Sequence, residues 1–371
     1  MAPSGIPDSR TKPWYLAPAC LIAFAAPASA DGVWPNILAE FSIEIEDEYV
    51  FRSSDPEMEL NDAFATIESE LALAFASGTG LYAKATFEPV TDPEGDRFFE
   101  DFGLYLEELF LAYRIGEGGF RIGKFDPNFG LAEDAAPELY GDDLAGDYEL
   151  EERIGVSIDV PFDALGGTHV ASVTAFMADT TVLSDSLFTS RGRLRRADGG
   201  VSNTAYPESF VLSLAGEIEG TGYSLGFRRQ SAGTNGNADE DGEADEDAEA
   251  DEDGNTDEYG GVVGLTRTVD LAGIETTLFG ELAYFPHFDG GRESVRFLTL
   301  GAEFDLGDFV LPAVYGLRKV EGSSADEIAT VSLEYELRDG LLISAGYRFL
   351  QEEGETIHTV GILLKYEFSL R

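Results

Sequence analysis

The residues with the clearest chemical potential are carboxylates. Between Asp126 and Arg153 there is no Lys or Arg, yet the stretch carries Glu133, Asp134, Glu138, Asp142, Asp143 and Asp147, with Glu149 close behind. A run of this kind, held inside a narrow water-filled passage, attracts cations and repels anions. If it lies on an outer surface it is simply solvated. A second acidic run, 238–261, repeats a six-residue unit that begins Ala238-Asp239-Glu240-Asp241 and degrades toward its end. Such a block repels itself and is expected to be disordered. Its Asp239, Asp241, Asp245, Asp247, Asp251 and Asp253 offer hard oxygen ligands for loosely held Ca²⁺ or Mg²⁺. The counterweight is Arg191-Gly-Arg193-Leu-Arg195-Arg196. This cluster can face the acidic stretch, pair with lipopolysaccharide phosphates through bidentate contacts, or stand in an exposed loop with neither role.

Catalytic constellations are missing. There is no G-x-S-x-G and no H-E-x-x-H, and His169, His287 and His358 lie far apart in sequence. The reading is therefore of a non-enzyme. Overall the 371 residues hold 71 acids against 24 bases, a net charge of −47. Nucleic acid is excluded as a partner, because phosphate contact needs a basic face. Aromatic content of 12% argues against a wholly disordered chain, and a single cysteine, Cys20, excludes a disulfide scaffold.

The N-terminus reads as a secretory signal, residues 1–30. Arg10 and Lys12 precede the apolar run Trp14–Ala26, and Ala28-Ser29-Ala30 offers a cleavage site before Asp31. Cys20 leaves with it. The remainder, 31–371, is one unit more negative, since the signal carries one acid and two bases.

That remainder has a period of two. His358, Val360, Ile362, Leu364, Tyr366, Phe368 and Leu370 fall on one face, and Thr359, Gly361, Lys365 and Glu367 on the other. The same alternation recurs in about 16 segments, centred near 42, 70, 84, 109, 122, 156, 173, 214, 225, 265, 279, 301, 314, 332, 345 and 363. Their connections alternate long and short until the last two long ones shrink. An all-β fold follows: a closed antiparallel transmembrane β-barrel over 31–371, with short periplasmic turns and long outer loops, among them the acidic repeat. Phe87, Tyr113, Phe120, Phe210, Tyr223, Tyr284, Phe304, Tyr347 and Phe368 near strand ends fit an aromatic girdle. The face opposite the lipid lines the pore. Glu68, Glu70, Arg114, Arg121, Arg153, Arg318, Glu334 and Arg348 are its candidate wall residues, and Glu133, Asp134, Glu138, Asp142, Asp143 and Asp147 its candidate constriction.

The final strand, Val360-x-Ile362-x-Leu364-x-Tyr366-x-Phe368-x-Leu370, resembles the C-terminal assembly signal of bacterial outer-membrane proteins, although it ends in Leu370-Arg371 rather than an aromatic residue. Glu108–Ile115 followed by Phe120–Gly130 resembles the paired strands of bacterial outer-membrane porins, general or substrate-selective. The resemblance implies the outer membrane of a Gram-negative bacterium, contact with lipid and lipopolysaccharide, a homotrimer, and passive diffusion of small hydrophilic solutes. It also implies that the loop after the fifth strand, here 127–150, folds into the lumen. The excess of acids on the lumen face adds a preference for cations. Two alternatives stay open: a substrate-selective channel for a sugar or metal–siderophore complex, or a surface barrel that binds divalent ions without significant conduction.

Overall fold

The computed structural model describes residues 36–75, 78–136, 139–140, 143–233 and 256–370. The expected signal peptide and the aspartates of the acidic repeat from Asp239 to Asp253 lie outside the described residues. Sixteen long strands form the wall. They are β1 (Asn36–Ser53), β2 (Asn61–Ala74), β3 (Thr79–Pro89), β4 (Phe102–Ile115), β5 (Gly118–Phe125), β6 (Arg153–Ala164), β7 (Gly167–Ala178) and β8 (Ser209–Ile218). There follow β9 (Thr221–Gln230), β10 (Glu258–Leu271), β11 (Ile274–Phe285), β12 (Val295–Asp305), β13 (Phe309–Val320), β14 (Ala325–Arg338), β15 (Leu341–Glu352) and β16 (Glu355–Leu370). Each centre read from the sequence falls inside one of them.

Every wall strand pairs antiparallel with its sequence neighbours. The sheet closes where β1 meets β16, from Ala39 opposite Leu370 to Ser53 opposite Ile357. Closure leaves no edge, which is the condition for strands to cross hydrocarbon. The outward positions satisfy the same solvent. Leu111, Ile158, Val160, Leu282 and Ile362 point away from the lumen, with Ile362 55% exposed. The turns at one end are minimal. Glu219-Gly220 and Ala272-Gly273 each hold positive φ at both residues, the backbone twist that suits a two-residue hairpin. At the other end the connections are long, 90–101, 126–152, 179–208 and 231–257, and then shrink to 321–324 and 353–354.

Two features depart from the alternation reading. The segment 238–261 was expected to be unstructured throughout, but β10 already begins at Glu258. Its carboxylate is buried and bonded to Arg228 Nε at 2.7 Å and Gln230 Nε2 at 2.9 Å, so the sheet captures the end of the acidic run through an ion pair. The second feature lies beside β5, whose eight residues agree with the short segment read near 122 and stop well short of the fourteen of β4. The outer half of β4 is instead bridged by two loop residues, Leu187 and Phe188, paired with Leu104 and Gly103.

Candidate functional site

The loop that follows β5 turns inward. Two short helices punctuate it, α1 (Ala132–Ala135) and α2 (Asp143–Gly146). Its apolar residues pack on inward-facing wall residues. Phe129, Ala132, Ala145, Tyr148 and Leu150 form one buried cluster with Phe176 of β7, Val211 of β8, Val262 of β10, Ala283 and Phe285 of β11, and Val295 and Phe297 of β12. Leu139 and Tyr140 join Leu363 of β16. Aromatics thus serve the lumen as well as the girdle read at the strand ends. The physical reason is the loop itself, which excludes water from the wall it covers.

The wall receives the loop on glycines. Gly226, Gly264, Gly316, Gly346 and Gly361, one each on β9, β10, β13, β15 and β16, face inward opposite Phe129, Leu131, Leu144, Leu139 and Tyr140. A Cβ on Gly226 would stand 2.9 Å from the Phe129 ring, and one on Gly346 would stand 2.6 Å from Leu139, closer than van der Waals contact allows.

A single wall carboxylate fixes the near end. Glu281 of β11 accepts from Leu131 N at 2.7 Å, Ala132 N at 3.3 Å and Tyr148 Oη at 2.6 Å. It therefore satisfies amides at the start of α1, which no side-chain cap satisfies. Arg228 of β9 donates to the Tyr148 carbonyl and lies over the Phe129 and Phe285 rings at 4.7 and 4.4 Å. At the loop's root Asp126 accepts from Glu152 N at 2.6 Å. Burial pushes the Asp126 carboxyl up to about 6, against that hydrogen bond and with the Glu151 charge adding to the rise. Glu151 is raised too, by burial and by the charge of Glu152.

The candidate constriction residues are distributed as follows. Glu133 and Asp134 lie in α1, and Asp143 opens α2. Asp147 pairs with Arg318 at 2.8 Å. Glu138 and Asp142 lie outside the described residues. Of the candidate wall residues, Glu68 and Glu70 face inward on β2. Arg318 on β13 is a hub, reaching Asp326 at 3.0 Å and Glu352 at 2.5 Å besides Asp147. Arg348 lies over the Tyr140 ring at 4.6 Å and reaches Glu48 at 3.8 Å. Glu334 faces inward on β14, and Arg153 faces inward where β6 begins. Arg121 is almost wholly buried, 5.0 Å from the Phe125 ring and 3.5 Å from Asp159. Arg114 is exposed at the end of β4, its Nε on the Gly116 carbonyl at 3.2 Å. In the basic cluster, Arg191 grips Glu152 with two hydrogen bonds at 2.6 and 2.5 Å, at the root of the acidic loop.

The loop's apolar contacts run along the wall from β7 to β16. Opposite them the inward faces of β1 to β4 carry Glu40, Glu44, Glu46, Glu48, Asp62, Glu68, Glu70, Glu88, Glu107 and Glu108, with Lys84 among them. Lys84 bridges Glu68 at 2.9 Å and Glu107 at 2.5 Å. Glu70 accepts from Tyr82 Oη at 2.7 Å, and Lys365 reaches Glu44 at 3.1 Å from β16. Alternation places Glu40, Glu44, Glu46, Glu68, Glu70, Glu88 and Glu108 on the lumen face; Glu48, Asp62 and Glu107 were missed. A bulge between Lys84 and Ala85 puts both Glu107 and Glu108 on the inner side, and a bulge breaks the alternation that pattern reading depends on. The glycine seats were also missed. Their signal was present, as glycine on the inward parity of five strands.

The fold so defined is a sixteen-stranded porin-type barrel with an inward loop after β5. No family model matches the sequence. No curated protein matches it either. Among solved structures the chain is similar to the outer membrane channel DcaP of Acinetobacter baumannii, at 12% identity and TM-score 0.57, over 92% of this chain and 99% of that one. It is similar to OmpF of Salmonella typhi in complex with daunomycin, at 12% identity and TM-score 0.58, over 90% and 98% of the two chains. An anion-selective porin from Comamonas acidovorans matches at 11% identity and TM-score 0.51, over 90% and 99%. At these identities the likeness is one of fold.

Proposed function

We propose that the protein is a passive channel of the Gram-negative outer membrane that admits small hydrophilic solutes and favours cations. The observation that carries the reading is the carboxylate-rich wall of β1 to β4, which lies opposite the wall that seats the inward loop. Ten inward acids stand there beside one lysine, Lys84. Carboxylates lining a narrow passage attract cations, and low-dielectric walls strengthen their field. Glu133, Asp134, Asp143 and Asp147 add acid along the loop and belong, in this reading, to the constriction. The same barrel fold carries an anion-selective porin, so the sign of selectivity rests on these side chains and not on strand number.

Solute passage through a lumen calls for no catalytic group, and the reading is of a non-enzyme. Lipid and lipopolysaccharide surround the barrel in this reading, and the assembly is a homotrimer, as the porin resemblance implies. The repeat at 238–253 is read as a loose Ca²⁺ or Mg²⁺ binder at the cell surface. The test is planar-bilayer recording under a KCl gradient. A reversal potential of cation sign supports the proposal. One of anion sign, or no conductance at all, overturns it.

A further inference from the structure

A cavity of about 540 Å³ opens inside the barrel at its outer mouth, on the β1–β4 side. Its floor and walls are Glu48, Asp62 and Phe64, Glu88 and Pro89, and Tyr105. The loop residues Asp92, Pro93 and Arg97 close one side, and Arg191 closes the other. The volume is in the range of small-molecule sites.

The two guanidiniums do not make it an anion site. Arg97 donates Nε and Nη2 to Asp62 at 2.8 and 2.6 Å and Nη1 to the Thr91 carbonyl at 2.6 Å. Arg191 is held by Glu152 on two nitrogens and by the Ser184 carbonyl on the third at 3.1 Å, with its flat face 3.8 Å from the Tyr105 ring. An entering carboxylate or phosphate would have to break these bidentate pairs. Glu88 is different. It accepts from the hydroxyls of Tyr105 and Thr66. Two neutral donors orient a carboxylate without cancelling its charge. Asp92 stands exposed at the rim. The same lining includes the Phe64 ring, Pro89, Pro93 and Val90.

We infer that this cavity binds an aliphatic diamine or polyamine, one ammonium on Glu88 and a second toward Asp92, with the methylene spacer on the apolar wall. A bare metal ion gains nothing from that wall, and among the described residues no group of three or more His, Cys, Asp or Glu is arranged to hold one. The aromatic rings already accept cations: Arg97 sits 6.0 Å from the Phe64 ring centre and Arg191 3.8 Å from that of Tyr105. The inference rests on the cation-favouring channel proposed above and names the solute class it takes at its entrance.

The test is single-channel recording of the full-length protein with 1,4-diaminobutane, using 1,4-butanediol as the uncharged control of like length. The diamine is expected to interrupt the KCl current in a concentration-dependent way, at lower concentration from the outer side than from the inner, and the diol is not. Glu88→Gln and, separately, Asp92→Asn are expected to raise the half-blocking concentration, Glu88→Gln by roughly tenfold or more, the effect of one lost charge-assisted contact. Asp92 lies on an exposed loop, so its variant reports even if Glu88→Gln assembles poorly. Equal block by the diol, or unchanged block in both variants, overturns the site. A cation-sign reversal potential with no diamine block removes the site and leaves the channel reading. An anion-sign potential with block that is lost in the variants does the opposite.

Discussion

Glu281 concentrates at one side chain what the loop needs to stay inside the lumen. Its carboxylate meets two backbone amides and a phenol that the loop cannot satisfy internally. A hydrogen bond to a charged group contributes about 1.5–3 kcal/mol. Glu281→Ala is therefore expected to loosen the loop while the barrel still assembles, seen as greater open-state current noise and faster protease cleavage within 127–150. Quiet traces with wild-type cleavage would contradict the assignment. Asp126 supports a second prediction at this scale. A carboxyl raised to about 6 is charged above that pH and neutral below it. Cation preference is thus expected to fall as the pH is lowered from 7.5 to 5, and to fall less in Asp126→Asn. Raised Glu151 works in the same direction. Alternation alone placed Glu281 on the lumen face. Its partners, 150 residues away in sequence at Leu131, were not legible, because nothing local encodes a contact made only when the loop crosses the barrel.

The strands were the most legible elements, because lipid on one side and water on the other impose a strict period of two. The bulge in β4 was the least legible, since alternation stops there. The glycine seats belong to this scale as well. Each lets a loop side chain approach the sheet backbone, and none can be replaced without adding volume. Gly264→Leu would occupy the space of Leu131. Overpacking costs about 1–3 kcal/mol, and here the cost falls on the loop contact and not on the sheet, whose backbone hydrogen bonds are unaffected. The variant is expected to keep the heat-modifiable gel mobility of a closed barrel and to change single-channel conductance. A variant with native mobility and native conductance would show that Leu131 is not seated there.

Charge is best read at the scale of the whole molecule. The headline −47 sums the acids of the repeat with those of the inner wall, and the proposed cation preference rests on the second. Deleting 238–253 is expected to leave single-channel conductance and the sign of the KCl reversal potential unchanged; a change in either would give the repeat a part in conduction. Carrying the deletion through Glu258 is a different experiment. It leaves Arg228 buried without its ion-pair partner, a loss of about 3–5 kcal/mol in comparable pairs, and is expected to lower the temperature at which the barrel unfolds on a gel. Composition alone gave no way to divide the acids between these roles. The division came from register, which places Glu258 in the sheet and Glu68 on the inner wall.

The path of the inward loop also sets a condition on assembly. Among its described seats are Gly346 on β15 and Gly361 on β16, the last two of the sixteen strands, while its root is at β5. The same β16 must zip onto β1 to seal the cylinder, a contact of the greatest sequence separation in the chain and so among the slowest to form. A loop still outside when that seam closes can enter only through the open mouth. The strands that seal the cylinder are thus also strands that seat the loop, so closing the seam completes the surface on which the passage is narrowed.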